Sequence, residues 1–264
     1  MSLQLPLHKL LRSLLLSLGV LLLPAMALAG PPVVAAAANM QFALEQIASR
    51  FQADTGQSVK LVFGSSGNFY RQIRAGAPFE LFLSADEAFV ERLAASGKTA
   101  DGGALYAMGR IVLAVPHGSP LKADAALEGL RQALAAGQIQ RFAIANPEHA
   151  PYGQLAEQAL RHAGLWQALQ GKLVLGENVA QAAQFATSGN AQGGIIAYSL
   201  ALAPDVARRA EFVLIPEHWH QPLRQRMVLL EGAGATSRAF YRYLQAPAAR
   251  AILRQYGFSL PEAG

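Results

Sequence analysis

The sequence predicts an α/β protein of two lobes joined by crossing strands. Short β-rich runs alternate with helical patterns along most of the chain, which is typical of mostly parallel sheets flanked by helices. Two groups of such strand–helix units flank a strongly apolar run at residues 111–115, and a lone β-rich run returns near Met227. We therefore place lobe I at residues 30–110 with 226–264 and lobe II at residues 111–225.

Local patterns predict each element of this layout. In residues 40–54, Phe42, Ile47 and Phe51 recur at near-helical spacing, and Gly56 ends the run. The other predicted helices cover residues 67–75, 84–97, 125–136, 153–162, 179–187 and a pair within 237–255 that Pro247 interrupts. The predicted strands cover residues 33–36, 59–63, 79–83, 111–115, 141–145, 173–175, 194–198, 212–215 and 227–230.

Residues 1–29 are predicted to be a cleavable export signal. Lys9 and Arg12 give it a basic start, residues 14–23 form a short apolar core, and a small-x-small pattern ends at Ala29. The uncharged stretch is too short to span a bilayer comfortably, and we expect no insertion of the mature chain into a membrane. We therefore expect cleavage near Ala29 and a periplasmic location.

Composition excludes several classes of protein. Of the 264 residues 52% are hydrophobic, and the chain has no Cys, which excludes intrinsic disorder, a disulfide scaffold and thiolate chemistry. Without a cysteine, a lipid anchor on that residue is excluded as well. The net charge of +5 falls to +3 once the predicted signal is left out, too small an excess to indicate nucleic-acid binding. We expect a freely diffusing monomer.

Four predicted strand–helix junctions carry small or neutral polar residues. Backbone N–H groups at a helix start have no intrahelical partner, and with the helix dipole they attract anions. Open parallel sheets also bind ligands at the carboxyl ends of their strands, although such residues are common as ordinary caps too. The junctions are Ala38-Asn39, Ser65-Ser66-Gly67, Pro151-Tyr152-Gly153 and Asn178-Val179.

The same segments carry a resemblance to a known family. The run Phe63-Gly64-Ser65-Ser66-Gly67, the following Tyr70-Arg71-Gln72-Ile73, and residues 76–86 are very similar to the longest motif of the periplasmic molybdate-binding proteins. Shorter similarities cover nearly all of the mature chain, at residues 33–39, 146–153, 177–179 and 240–258.

This resemblance implies a type II periplasmic binding protein with two lobes, each a mostly parallel sheet flanked by helices, joined by crossing hinge strands. It would carry molybdate or tungstate to the membrane permease of an ABC importer, with no catalytic residue, no cofactor and no separate cation site. Some members place a contacting Tyr at the position of Ala197, which makes Tyr198 a further candidate. Carried over by position, the oxyanion contacts fall at Ala38, Asn39, Ser66, Tyr152 and Val179.

Alternative functions have weaker support in the sequence. A receptor for sulfate or another tetrahedral oxyanion would use the same donors. A secreted serine hydrolase would need His149 beside Ser66, and the G-x-S-x-G elbow is missing there. His218 and His220 form too small a set for zinc, which takes three or four protein ligands. Glu148 and Glu177 adjoin two of the junctions, and a carboxylate inside the site would favour a protonated ligand or a cation.

Overall fold

A computed structural model describes residues 30–261 of the chain. The predicted export signal at residues 1–29 lies outside the described residues. The strands are β1 (Val33–Ala37), β2 (Lys60–Gly64), β3 (Leu81–Ser84), β4 (Ala104–Gly109), β5 (Ile111–Pro116), β6 (Phe142–Ala145), β7 (Leu173–Gly176), β8 (Gly193–Ala197), β9 (Ala210–Leu214) and β10 (Leu223–Leu229). The α-helices are α1 (Gln41–Thr55), α2 (Ser66–Arg74), α3 (Glu87–Ala95), α4 (Glu128–Ala135), α5 (Pro151–His162), α6 (Val179–Thr187), α7 (Tyr198–Ala201), α8 (Pro204–Ala207), α9 (Ala235–Leu244) and α10 (Pro247–Gln255).

The strands form two five-stranded sheets, as the two-lobed α/β prediction requires. The first sheet has the order β2-β1-β3-β10-β4 and the second the order β7-β6-β8-β5-β9. In each sheet the three strands at one end run parallel, and the other two pair antiparallel. Both sheets are therefore mixed, and they share one plan in which β1 corresponds to β6 and β2 to β7.

Two connections join the sheets. Arg110 alone separates β4 of the first sheet from β5 of the second, and residues 215–222 lead from β9 back to β10. The strand β4 is missing from the sequence prediction, since its Ala- and Gly-containing run has little β-propensity. The strand predicted at residues 227–230 begins four residues earlier, at Leu223. The prediction missed this start because Arg224 and Arg226 alternate with buried residues and interrupt the apolar pattern.

The apolar packing follows the pleat of the strands. In β1 the side chains of Val34 and Ala36 face one cluster, which α1, α9 and α10 help to form, and Ala35 faces the other. The second sheet has a core of its own around Leu113, Phe142 and similar buried residues. In residues 30–261 we find no helix long and apolar enough to span a membrane.

Candidate functional site

A small cavity lies where helix starts from the two sheets meet. Its volume is about 10 Å³ for the centre of a water-sized sphere, room for about one water molecule. It is lined by Ala37, Ala38, Asn39, Gly64, Ser65, Ser66, Ala85, Ala150, Pro151, Tyr152 and Val179. All these residues are neutral, and five of them are Ala38, Asn39, Ser66, Tyr152 and Val179, the predicted oxyanion contacts.

Strand direction explains why distant segments meet in this cavity. The strands β1 and β2 are parallel neighbours, and so are β6 and β7. Their carboxyl ends therefore lie side by side at one edge of each sheet. The chain leaves each of the four strands into a turn that starts a helix. Each sheet thus presents two helix starts to the other.

At the start of α2, only the N–H and the hydroxyl hydrogen of Ser66 lack an acceptor among the polar groups described below. The Ser65 hydroxyl accepts from the Asn68 N–H at 3.3 Å, and the Gly67 N–H donates to the His149 carbonyl at 3.0 Å. Fully buried Ser66 accepts from the Ala85 N–H at 2.9 Å. Neither the Ser66 N–H nor its hydroxyl hydrogen has an acceptor within residues 30–261. Both are available to a ligand.

A similar arrangement exposes a single N–H at the start of α6. The side chain of Asn178 accepts from the N–H groups of Ala180 and Gln181, at 3.0 and 3.1 Å. The cap therefore satisfies these two donors and bypasses the first residue of the helix. Among the described residues, nothing accepts from the Val179 N–H.

Helix α5 exposes one N–H for a different reason. Pro151 occupies its first position and has no N–H to donate. The N–H groups of Gly153 and Gln154 both donate to the Ala150 carbonyl, at 2.9 and 3.2 Å. This leaves the Tyr152 N–H without an acceptor in the described part of the chain. Lobe II thus offers the cavity two backbone donors.

Four buried polar side chains lie beside the cavity and join the two sheets. Gln225 Oε1 accepts from Asn39 Nδ2 at 3.0 Å and from the Tyr106 hydroxyl at 2.9 Å. Gln225 Nε2 donates to the Tyr152 hydroxyl at 3.0 Å. Burial raises the pKa of Tyr106 and of Tyr152 above the ordinary value. Both phenols therefore stay protonated and neutral well into the alkaline range.

Titratable side chains lie at the margin of the cavity, outside its lining. His149 has Nδ1 at 2.9 Å from the Ser65 hydroxyl and Nε2 at 3.6 Å from Glu177, and Glu177 also accepts from the Asn68 side chain. The serine beside this histidine is therefore Ser65, whereas the hydrolase hypothesis required Ser66. Neither Glu148 nor Glu177 lines the cavity.

Tyr198 is the predicted site residue that the structure places elsewhere. It is absent from the cavity lining, and its ring lies against Gly257, where an added Cβ would meet the ring edge at 2.6 Å. The Arg110 guanidinium lies 5.8 Å from the ring centre. The neighbouring Ser199 donates instead toward the site, to the Asn39 carbonyl at 2.8 Å.

Among the residues that sequence reasoning missed are Ala85, which lines the cavity, and Gln225, which lies beside it. Ala85 follows β3, a third parallel strand, so the same rule on carboxyl ends would have found it. Gln225 gives no such signal, since a single glutamine in an alternating strand usually faces solvent. The described residues contain no group of three potential metal ligands, at His218 and His220 or elsewhere. Trp219 there stacks on His162.

Comparison with known proteins places the chain in a family. Residues 32–259 match the model of the family described as bacterial extracellular solute-binding protein. The molybdate-binding protein ModA of Azotobacter vinelandii is 37% identical over 94% of this chain and 97% of its own length. The Rhodobacter capsulatus molybdate-binding protein ModA is 35% identical over 88% of this chain and 89% of its own.

Solved structures agree with this placement. The periplasmic molybdate-binding protein of Azotobacter vinelandii superposes with a TM-score of 0.79 at 32% identity, covering 88% of this chain and all of that one. The sulfate-binding protein SubI of Mycobacterium tuberculosis, at 16% identity and a TM-score of 0.72 over 88% of this chain and 87% of its own, shares the fold. The predicted two-lobed periplasmic binding fold is confirmed, and the chain belongs to the family of bacterial extracellular solute-binding proteins.

Proposed function

We propose that this protein is a periplasmic receptor that holds molybdate, and also tungstate, between its lobes and delivers it to the permease of an ABC importer. The observation that carries the proposal is one cavity into which both sheets direct unpaired donors, with no charged side chain in its lining. Relatives named as molybdate-binding proteins over nearly the whole chain support the choice of ligand.

The donor set suits a buried dianion. Burial of an unpartnered charge is very costly, whereas hydrogen bonds to an ionised acceptor are strong. The donors lie in the first turns of three helices, which fixes their positions. They are the N–H groups of Ser66, Tyr152 and Val179 and the hydroxyl of Ser66. Fixed neutral donors of this kind stabilise the charge of an anion without a salt bridge. The N-terminal ends of three helix dipoles add to this stabilisation.

The small size of the cavity supports a movement of the lobes during binding. A tetrahedral oxyanion has five heavy atoms, while the cavity has room for about one water. We propose that the lobes predicted at residues 30–110 with 226–264 and at residues 111–225 rotate as two bodies about the connections at Arg110 and 215–222. Residues 223–225 move with lobe I in this proposal, because β10 of the first sheet begins at Leu223. The bond from the Gly67 N–H to the His149 carbonyl joins the two bodies, so it would re-form as they close.

Titration calorimetry tests the ligand directly. Purified protein without the export signal is titrated with molybdate, tungstate, sulfate and phosphate. We expect molybdate and tungstate to bind tighter than about 10 μM, or about −7 kcal/mol, and the other two to bind more weakly. A preference for sulfate would replace this proposal with the alternative oxyanion receptor. Hydrolysis of ester substrates that depends on Ser65 and His149 would instead indicate an enzyme.

Export and assembly belong to the same proposal. The export signal at residues 1–29 would be removed near Ala29, so that the mature chain begins at about Gly30. The receptor would then diffuse as a monomer between the outer membrane and the permease. Mass spectrometry of protein recovered from a periplasmic extract gives the cleavage point, and light scattering of that sample gives the oligomeric state.

A further inference from the structure

The side chain of Gln225 is buried between the two lobes and forms hydrogen bonds to both. It lies on β10 of the first sheet, is fully buried, and its amide contacts side chains from both lobes. Its oxygen accepts from Asn39 and Tyr106 of lobe I, and its nitrogen donates to Tyr152 of lobe II. Two of these partners, Asn39 and Tyr152, line the cavity.

The backbone around Gln225 is irregular in a way that makes these contacts possible. The pairing of β10 with β4 shifts between Gln225 and Arg226, so Tyr106 faces no partner across the ladder. Such a bulge re-aims side chains next to functional sites. Nearby, Gly109 leaves the space open, because a Cβ there would lie 2.5 Å from the Tyr152 hydroxyl and 2.6 Å from Gln225 Nε2.

One polar atom of this cluster lacks a partner. Asn39 is 1% exposed, and its Oδ1 is buried without a hydrogen bond among the described residues. An unsatisfied buried acceptor is unusual in a native protein. It is also unsuited to a cavity for an oxyanion, which carries acceptors itself and requires donors around it.

Rotating the side-chain amides of Asn39 and Gln225 by about 180°, which exchanges the oxygen and nitrogen of each, gives the Asn39 oxygen a donor. The nitrogen of Gln225 then donates to Asn39 Oδ1 across the same 3.0 Å, and the Tyr152 hydroxyl donates to the oxygen of Gln225 across its 3.0 Å. The Tyr106 hydroxyl keeps the Ser84 carbonyl as acceptor at 3.2 Å. The amide oxygens of Asn39 and Gln225 then both have donors, and the free end of the Asn39 amide is itself a donor.

We propose that Gln225 is a positioning residue for oxyanion binding, which turns the Asn39 amide so that its N–H faces the ligand when Tyr152 of lobe II is in contact. This inference rests on the proposed function. It assigns Gln225 an influence on selectivity, because an Asn39 side chain held as a donor favours a fully deprotonated oxyanion over one that carries an O–H.

A double-mutant cycle tests this role. Molybdate and phosphate affinities are measured by calorimetry for the unmodified chain, Gln225→Met, Asn39→Ala and the double variant. Gln225→Met keeps the length of the side chain and removes its amide. We expect it to weaken molybdate binding about tenfold in the unmodified background and less than about twofold beside Asn39→Ala. The preference for molybdate over phosphate should shrink with Gln225→Met.

Stability measurements separate positioning from folding. Gln192→Met is the matched control. The Gln192 side chain accepts from the N–H groups of Gln140 and Arg141, and it lies in lobe II outside the cavity lining. It should lower the melting temperature without changing either affinity. Equal losses from Gln225→Met in both backgrounds, no loss in either, or an unchanged preference would overturn the inference alone. No molybdate binding by the unmodified chain would overturn the proposed function and this inference with it.

Discussion

The two sheets are built on one plan but supply the cavity with different chemistry. In each, an edge strand and its parallel neighbour end in turns that start helices at the cavity. These strands are β2 and β1 in the first sheet and β7 and β6 in the second. Lobe I offers the Ser66 hydroxyl besides backbone N–H groups and, in our proposal on Gln225, the N–H of the Asn39 amide. Lobe II offers only backbone N–H groups, since the Tyr152 hydroxyl is bonded to Gln225.

This difference separates placement from selectivity. Backbone donors cannot be altered by exchanging a side chain, so lobe II supplies a fixed half of the site. The side-chain groups of lobe I can be removed one at a time, and in our proposal Gln225 sets which end of the Asn39 amide is free. Substitutions in lobe I should therefore change affinity and selectivity, whereas side-chain truncations at the matching positions of lobe II should mainly change stability.

The largest effect should come from Gly67→Ala, which acts on the approach of the lobes. A Cβ at Gly67 would lie 2.5 Å from the His149 carbonyl oxygen, a backbone atom that a side-chain rotation cannot move. We expect molybdate affinity to fall by more than about 100-fold, since one clash and one lost hydrogen bond together exceed about 2.7 kcal/mol.

The melting temperature separates this effect from unfolding. Once the lobes have moved apart, the Cβ of Gly67→Ala no longer meets the His149 carbonyl, and alanine is the better helix former by up to about 1 kcal/mol. Without ligand this variant should therefore melt no lower than the unmodified chain. Gly102→Ala is the control, because a Cβ there meets no atom within 4 Å. Undiminished binding by Gly67→Ala would show that the lobes need not approach as closely as they do here.

Ser66→Ala should have the next largest effect and tests the side-chain donors of lobe I. Its hydroxyl accepts from the Ala85 N–H and directs its hydrogen elsewhere. Loss of one hydrogen bond to a charged ligand costs about 1.5–3 kcal/mol, or roughly 10- to 150-fold in the dissociation constant measured by calorimetry. An unchanged constant would remove the Ser66 hydroxyl from the site.

Val179→Ala is the matched change in lobe II and should affect affinity little. The Val179 N–H remains after the truncation, so we expect the dissociation constant to stay within about twofold. Val179 is buried, and removing two methyl groups should lower the free energy of unfolding by about 1–2 kcal/mol. A loss of affinity as large as that of Ser66→Ala would contradict the contrast between the lobes.

Alkaline pH should weaken the contact that joins the lobes through Gln225. Burial raises the pKa of Tyr106 and Tyr152 in the folded chain, while in the unfolded chain both titrate near about 10. The unfolded state loses protons first as pH rises. The contribution of these tyrosines to the free energy of unfolding is therefore constant below about pH 10 and falls above it. The slope is at most about 1.4 kcal/mol per pH unit for each tyrosine.

Urea unfolding at pH 8, 10 and 11 measures this slope. Tyr152→Phe should reduce it, because only one of the two buried phenols then remains. A slope that is the same in Tyr152→Phe and in the unmodified chain would assign the loss of stability to other groups.

How far the sequence predicts the site depends on the range of each signal. Helix starts after strands follow from local patterns, so the junctions that contain Ser66, Tyr152 and Val179 are predicted from their own segments. The choice of these three residues as contacts follows from the family resemblance. The meeting of these starts in one cavity depends on strand order, which no local pattern contains. The Gln225 cluster depends on a bulge between β4 and β10, strands that are more than 100 residues apart in the chain, and β4 itself was not predicted.

The third turn of each sheet gives the smallest expected effect. In the first sheet, Ala85 follows β3 and lines the cavity, whereas in the second sheet Tyr198 follows β8 and its ring packs against Gly257. We expect Tyr198→Phe to leave molybdate affinity within about twofold, because the ring and its packing are kept. The dissociation constant is measured by calorimetry, and its change is compared with that of Ser66→Ala. A tenfold loss would mean that the Tyr198 hydroxyl reaches the bound anion, so that all three turns of both sheets take part in binding.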